Sequence, residues 1–207
     1  MPRAGLTPDA VVREAARLAD DVGHDKLTLA AVASRLGVAL PSLYKHVRGA
    51  DALHQRLAAL AVGELADEMT SAAAGRAGVD ALRAVAAAWR GYARRHPGRY
   101  PAAQQVPDPT DPVHVAAGRK ALDAIYAILR GYGLDGDDAV DAARIFRSGV
   151  HGFVTLEATG GFGMPRLIDR SFDQLVAALD IALRNWPEPG GSATTPAEPA
   201  GTPGSPR

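Results

Sequence analysis

Residues 28–48, TLAAVASRLGVALPSLYKHVR, hold two short helical patterns joined at a glycine. In the first, Leu29, Val32, Ala33 and Leu36 recur at i, i+3, i+4 and i+7, so one narrow apolar face must be buried. Thr28 stands where an N-cap hydroxyl accepts from an unpaired N–H of the first turn. Gly37 stands where a left-handed residue stops a helix. Val38 is apolar within the turn, and a second helix is predicted after it, with Pro41 near its first position and Leu43 and Val47 four residues apart. Two helices that cross steeply through a turn of a few residues need a small side chain at their contact, and Ala33 supplies it.

Burying Leu43 and Val47 leaves Leu40, Ser42, Lys45 and His46 facing out. With Tyr44 and Arg48 they mix phosphate donors with side chains able to meet base edges, a surface suited to nucleic acid. Other readings of the same residues are an ordinary helical hairpin, Tyr44 as a core aromatic with its hydroxyl at the rim, and Lys45 and Arg48 as solvated charges.

The run LGVALPSLYKHVRGADAL resembles the DNA-binding domain of TetR-type transcriptional repressors, and the likeness extends over residues 8–60. It is carried by the Leu-Gly-Val turn, Ser42, the Leu43-Tyr44 pair, His46 and Leu53. The resemblance implies that Tyr44 and His46 contact phosphates or bases, and that Leu40, Pro41, Ser42 and Lys45 lie against the major groove. Thr28 and Arg48 complete the expected DNA-binding set. Two positions depart from the family pattern: Val47 stands where an aromatic is frequent, and Ala50 where a Lys is usual. A missing Lys at 50 removes a phosphate contact and weakens sequence-independent affinity. Arg48 or Arg56 is expected to substitute.

Upstream, Thr7-Pro8 forms an N-cap followed by Pro at the first helical position, and Val11, Ala15, Leu18 and Val22 make a stripe ending at Gly23. This completes a three-helix unit, with Arg3 as a flexible arm. Net formal charge is +0, so attraction to DNA must be local. Residues 1–56 hold eight basic and six acidic side chains, a weak excess that argues against strong non-specific affinity. The chain has no cysteine, which excludes disulfides, thiolate metal sites and a Cys nucleophile. Without a signal peptide or a long apolar run, the expected location is the cytoplasm, away from any membrane.

The remaining pattern is helical, so the fold class expected is all-α. A helix-turn-helix domain over 1–53 is joined to an effector-binding and dimerisation domain over 54–186, followed by a Pro/Gly/Ala/Thr-rich tail over 187–207 that cannot bury enough to order itself. Asp51 is placed to cap a fourth helix carrying Leu53, Leu57, Leu60 and Leu65, a lever between the two regions. Ser71–Gly78 reads as a small-residue break. Leu82, Val85, Trp89 and Tyr92 form the next stripe, and five prolines within 97–112 make that segment a loop able to border a pocket. Val113, Ala117, Ala121, Ile125 and Ile128 mark another helix. From about Asp137 a long helix shows two apolar faces: Ala139, Ala143, Phe146, Val150 and Phe153 on one, Ile145, Gly149, Gly152 and Leu156 on the other. The last carries Ile168, Phe172, Leu175, Leu179, Ala182 and Trp186.

In TetR-type proteins the final two long helices pair with their symmetry mates, which implies a homodimer through 137–158 and 168–186. Two recognition helices about one DNA turn apart, roughly 34–36 Å, then read a palindromic operator in double-stranded DNA. The family also implies a small-molecule effector between the helices. The candidate lining is Trp89, Tyr92, Tyr100, Gln104, Tyr126, Phe146 and His151, with Gln105 and Phe153 also able to reach it; plain core packing is the alternative for each. No cofactor and no metal site are expected. The six His show no metal spacing, and no nucleophile elbow or phosphate loop is present, which argues against the rival readings of an enzyme or a metal sensor.

Overall fold

The structure, a computed structural model, describes residues 6–187; Arg3 and the tail beyond 187 lie outside them. Among the described residues the secondary structure is helical: α1 (Pro8–Val22), a 3₁₀ turn (His24–Lys26), α2 (Leu29–Leu36), α3 (Leu40–Leu43), α4 (Ala50–Ala73), α5 (Gly78–Arg95), α6 (Tyr100–Ala103), α7 (Pro112–Arg130), α8 (Gly136–Ala158) and α9 (Ile168–Arg184). None is long and apolar enough to cross a membrane.

Among the described residues, side-chain caps set the starts of α1, α2 and α7. The Thr7 hydroxyl accepts from Ala10 N–H at 3.1 Å and Thr28 from Ala31 N–H at 3.1 Å, while Asp111 caps α7 through Val113 N–H and His114 N–H. The start of α4 differs from the sequence expectation. Gly49 occupies the N-cap position, and Asp51 is the second residue of the first turn and does not cap, though its charge there still favours the positive end of the helix. At the other end α4 runs through Ser71 to Ala73, because alanine is a strong helix former and Ala72 and Ala73 pack on the core. The break is therefore confined to 74–77.

In α1 the apolar stripe closes at Leu18 and Ala19, and Val22 is exposed. Residues 96–99 cover the last turn of α1 at Ala19 and Asp20 instead. The Pro-rich segment 97–112 is not loop throughout, since Pro101 is tolerated in the first turn of α6. Trp186 lies just beyond α9, half-buried on the core, whereas Ala182 faces out.

One continuous core threads the molecule. Leu53 and Leu57 of α4 belong to it beneath the first three helices, and Val62, Leu65 and Met69 extend it among α5 and α7. The helix thus runs across residue 53, with no break between the two regions. Gly63 faces α7, where a Cβ would make an ordinary van der Waals contact with that of Ala117 at 3.8 Å. Arg90 ties α5 to α8 and α9. Its guanidinium donates to both Glu157 carboxylate oxygens at 2.6 and 2.7 Å and to Asp169 at 2.7 Å, and it lies 4.8 Å from the centre of the Phe172 ring.

Candidate nucleic-acid interface and internal cavity

Gly37 adopts φ 65°, ψ 33°, the left-handed conformation that ends α2 and redirects the chain. Val38 N–H then bonds back to Ala33 O at 3.0 Å, and Ala33 is buried at the crossing. The second helix is shorter than its sequence pattern suggests, a single turn of α3. Helical bonding nevertheless carries on through Val47, whose N–H reaches Leu43 O at 3.0 Å. Leu43 is 0% exposed and Val47 is buried, which fixes the roll of the segment about its axis.

That roll turns Leu40, Pro41, Tyr44, Lys45 and Arg48 into solvent, with Ser42 and His46 half-buried beside them. Tyr44 is 52% exposed, so it is a surface aromatic and not a core one. Thr28 is exposed at the start of α2, its hydroxyl engaged as the cap. Arg35, in the last turn of α2, is held by Glu14 at 3.0 Å and Asp21 at 2.7 Å. Among the described residues Lys45 and Arg48 have no such carboxylate partner, so their charges face outward unspent.

Behind this unit lies a polar joint that the sequence reading missed. The Asp20 carboxylate of α1 accepts from the backbone N–H groups of Gly98 and Arg99 at 3.1 and 2.9 Å and meets His96 Nδ1 at 3.1 Å. Arg99 Nε lies 2.8 Å from Asp20 as an ionic contact without hydrogen-bond alignment, while its Nη1 donates to Glu64 of α4 at 2.9 Å. Tyr92 donates to the same Glu64 at 3.1 Å, and burial together with that carboxylate pushes its phenol pKa well up. Gly98 allows the approach: a Cβ there would stand 1.7 Å from Ala19 O.

Between α4, α5, α7 and α8 lies a cavity of about 290 Å³. Val62, Leu65, Met69, Trp89, Leu122 and Ile125 give it apolar walls, and Gln104, Gln105, Arg119 and Arg147 give it polar ones. Gln104 Nε2 is buried without a hydrogen-bond partner, a penalty of about 1–3 kcal/mol for a group left so. Behind Trp89 runs a relay in which its indole N–H donates to the Tyr100 hydroxyl at 2.8 Å, and that hydroxyl lies 2.9 Å from His151 Nδ1. The Tyr100 hydroxyl thus accepts from Trp89 and shares a hydrogen bond with His151 Nδ1, the imidazole tautomer setting which of the two donates. Burial, and then the positive charge of Arg147, holds the His151 pKa below 6.5; burial pushes Tyr100 up to about 12.

The structure thus brings Trp89 and Gln104 to the cavity, sets Tyr100 and His151 behind Trp89, and packs Phe146 edge-on to Trp89 with ring centres 6.1 Å apart. Tyr92 belongs to the Asp20 joint, and Tyr126 packs half-buried on the core; neither is among the lining residues. Gln105 does line the cavity, whereas Phe153 packs against Phe162 and Phe172. A larger hollow of about 650 Å³ between α1, α4 and residues 110–113 mixes carboxylates with guanidiniums, from Asp9, Asp111, Arg13 and Arg56. Among the described residues no group of three or more His, Asp or Glu side chains is placed to hold a metal.

On the outer side of α8 and α9, Ile145, Leu156 and Ile181 are exposed. Gly149 serves the subunit itself, since a Cβ there would touch Leu175 and Leu179 of α9 at 3.6–3.8 Å, while Gly152 faces open space.

Residues 82–179 match the family model of the tetracyclin repressor-like C-terminal domain. The chain is 37% identical over 193 residues to the HTH-type transcriptional regulator Rv0681 of Mycobacterium tuberculosis, itself uncharacterized, covering 93% of this chain and 88% of that one. It is 36% identical over 136 residues to the class A tetracycline repressor protein from transposon 1721 of Escherichia coli, covering 60% of this chain and 61% of that one. Its fold resembles the Streptomyces coelicolor TetR family protein ActR, solved in complex with (S)-DNPA, at a TM-score of 0.65 and 18% identity, covering 87% of this chain and 98% of that one. With an exposed strip on a helix pair joined at Gly37, an all-helical body among the described residues and relatives along nearly its whole length, the chain belongs to the TetR family of transcriptional regulators.

Proposed function

We propose that the protein is a homodimeric repressor that holds a palindromic operator and releases it when a small effector enters the cavity. In this reading residues 1–53 contact double-stranded DNA through Leu40, Pro41, Ser42, Tyr44, Lys45, His46 and Arg48, with Thr28 at the edge of the footprint. Residues 54–186 bind effector and pair the subunits, and the protein works in the cytoplasm as a binding device, not as an enzyme. The observation that carries it is one helix: α4 carries Leu53 and Leu57 beneath the DNA-binding unit and Val62, Leu65 and Met69 on the cavity wall. Over 24 residues, roughly 36 Å, that helix transmits a tilt from one end to the other.

Pairing through the outer side of α8 and α9 buries Ile145, Leu156 and Ile181, which the lone chain exposes. An effector releases DNA only if it binds the form with displaced recognition helices more tightly than the DNA-bound form. Tyr92, Tyr100, Phe146 and His151 then shape the cavity from behind Trp89 and from the Asp20 joint, and Tyr126 braces α7.

The test is selection of sites from random DNA by the purified protein, followed by mobility-shift titration with the DNA upstream of its gene. The expected outcome is a two-fold symmetric site bound as one discrete complex at nanomolar to micromolar protein. Enrichment of no site, with no complex on any upstream DNA, rejects the reading.

A further inference from the structure

We propose that the cavity between α4, α5, α7 and α8 takes a small amphipathic carboxylic acid, its apolar body on Trp89, Leu65, Met69 and Ile125 and its carboxylate on the guanidiniums at the mouth, Arg147 foremost. This rests on the effector reading of the cavity and names the chemical class of the effector.

The polar atoms are of one kind. No Asp or Glu lines the cavity, while two guanidiniums do. Arg119 has a distant ionic neighbour, Asp123 at 3.9 Å; among the described residues Arg147 has none. An acceptor that carries negative charge, seated at the mouth, answers both guanidiniums. A neutral apolar molecule leaves them unanswered, and an ammonium is repelled.

The distribution of exposure orients the ligand. Arg119, Arg147 and Gln105 are exposed and form the mouth, whereas Leu65, Met69, Trp89 and Ile125 are buried and form the floor. The head therefore sits at the rim and the body points inward. At about 290 Å³ the space is at the small end of ligand sites, which excludes large conjugates and suits a body of one ring or a short chain. The field of Arg147 is felt within the fold, since it helps lower the His151 pKa beyond the effect of burial. A bound carboxylate opposes that field at His151.

The experiment uses the full chain with Trp186→Phe, which leaves Trp89 as the fluorescent reporter, and three probes of one skeleton: 4-phenylbutyrate, 4-phenylbutanol and 4-phenylbutylamine. The acid is expected to change Trp89 emission saturably, the alcohol to bind about tenfold or more weakly, and the amine not to bind. Arg147→Gln should weaken the acid about tenfold or more and leave the alcohol unchanged, and Arg119→Gln should do the same to a lesser degree. Both variants are checked for an unshifted melting midpoint; Arg147 is exposed and unpaired, so its replacement leaves the fold intact. Equal binding of acid and alcohol, binding of the amine, no saturable binding of the acid at millimolar concentration, or an unchanged acid affinity in Arg147→Gln overturns the proposal. DNA binding is measured on the same samples without probe: loss of acid binding with operator binding intact rejects only the ligand class, whereas failure to bind any DNA rejects the regulator reading.

Discussion

The Asp20 carboxylate, at the end of the first helix, accepts the backbone N–H of Arg99 at 2.9 Å and lies 2.8 Å from the same residue's Nε. It joins the helix that carries the DNA-binding unit to the segment leading into the cavity wall at Ala103 and Gln104. Removing one partner of such a poorly solvated pair leaves the other charge and two backbone donors uncompensated. Asp20→Ala is expected to lower stability by about 2–4 kcal/mol in urea unfolding and to uncouple effector binding from DNA release. Gly98→Ala forces a Cβ against Ala19 O, so α1 must shift; a loss of about 3 kcal/mol or more is expected, with DNA affinity reduced as well. Wild-type stability in either variant contradicts the joint.

Leu43 and Tyr44 are neighbours with opposite surroundings, one fully buried and one half-exposed. Leu43→Ala should cost about 2–5 kcal/mol of folding free energy. Tyr44→Ala should leave the melting midpoint unchanged while weakening the specific complex by about tenfold or more. If Tyr44→Ala instead destabilises the fold and leaves DNA affinity intact, the strip is not a reading surface.

Arg48 and Ala50 test the electrostatic part of DNA binding. Arg48→Ala should weaken specific and random DNA about equally and reduce the slope of log affinity against log salt by about one. Ala50→Lys, restoring the residue the family usually carries, should raise both affinities and steepen the slope by a similar amount. Unchanged slopes reject both roles.

His151 and His24 both have pKa values held below 6.5 in the folded chain, His151 by burial and then Arg147, His24 by burial and then His54. Above pH 6.5 they are neutral in both states and contribute nothing to the pH dependence. As pH falls below 6.5 the unfolded chain takes up protons first, so folding stability falls. Unfolding free energy measured from pH 7.5 to 5.5 should therefore decline, and His151→Gln should flatten the decline. The lowered pKa values of Asp108 and Asp180 act in the same direction only at more acid pH, below the ordinary carboxylate range. A profile that rises toward pH 5.5 contradicts the assignment.

Leu156→Asp and Ile181→Asp probe the outer side of α8 and α9. Both positions are exposed in the lone chain, Ile181 at 62%, so the substitutions should barely change the fold of the protomer. Light scattering should report half the wild-type mass, with affinity for a palindromic site falling about a hundredfold and affinity for a half-site unchanged. A wild-type mass for both variants places the interface elsewhere.

The sequence by itself determined the features that depend on neighbours a few residues away. Thr28 and Gly37 bound α2, Leu43 and Val47 fall on one side of the next turn, and Tyr44 is turned out, because caps, left-handed glycines and helical spacing act within about one turn of chain. The two-sided pattern of α8 was legible for the same reason. Tertiary structure decided which distant groups meet. Asp20 and Arg99 are 79 residues apart, Arg90 and Glu157 67, and nothing in the local pattern of either residue names its partner. Trp89 and Tyr92 share one stripe of α5, yet one lines the cavity and the other meets Glu64, since three residues advance a side chain about 4.5 Å along the same face and so to a different level of the bundle. Gly149 shares the second apolar face of α8 with Ile145 and Leu156, which are exposed, yet it receives Leu175 and Leu179 of its own chain. Periodicity reports that a face is covered, and only the packing of the helices decides what covers it.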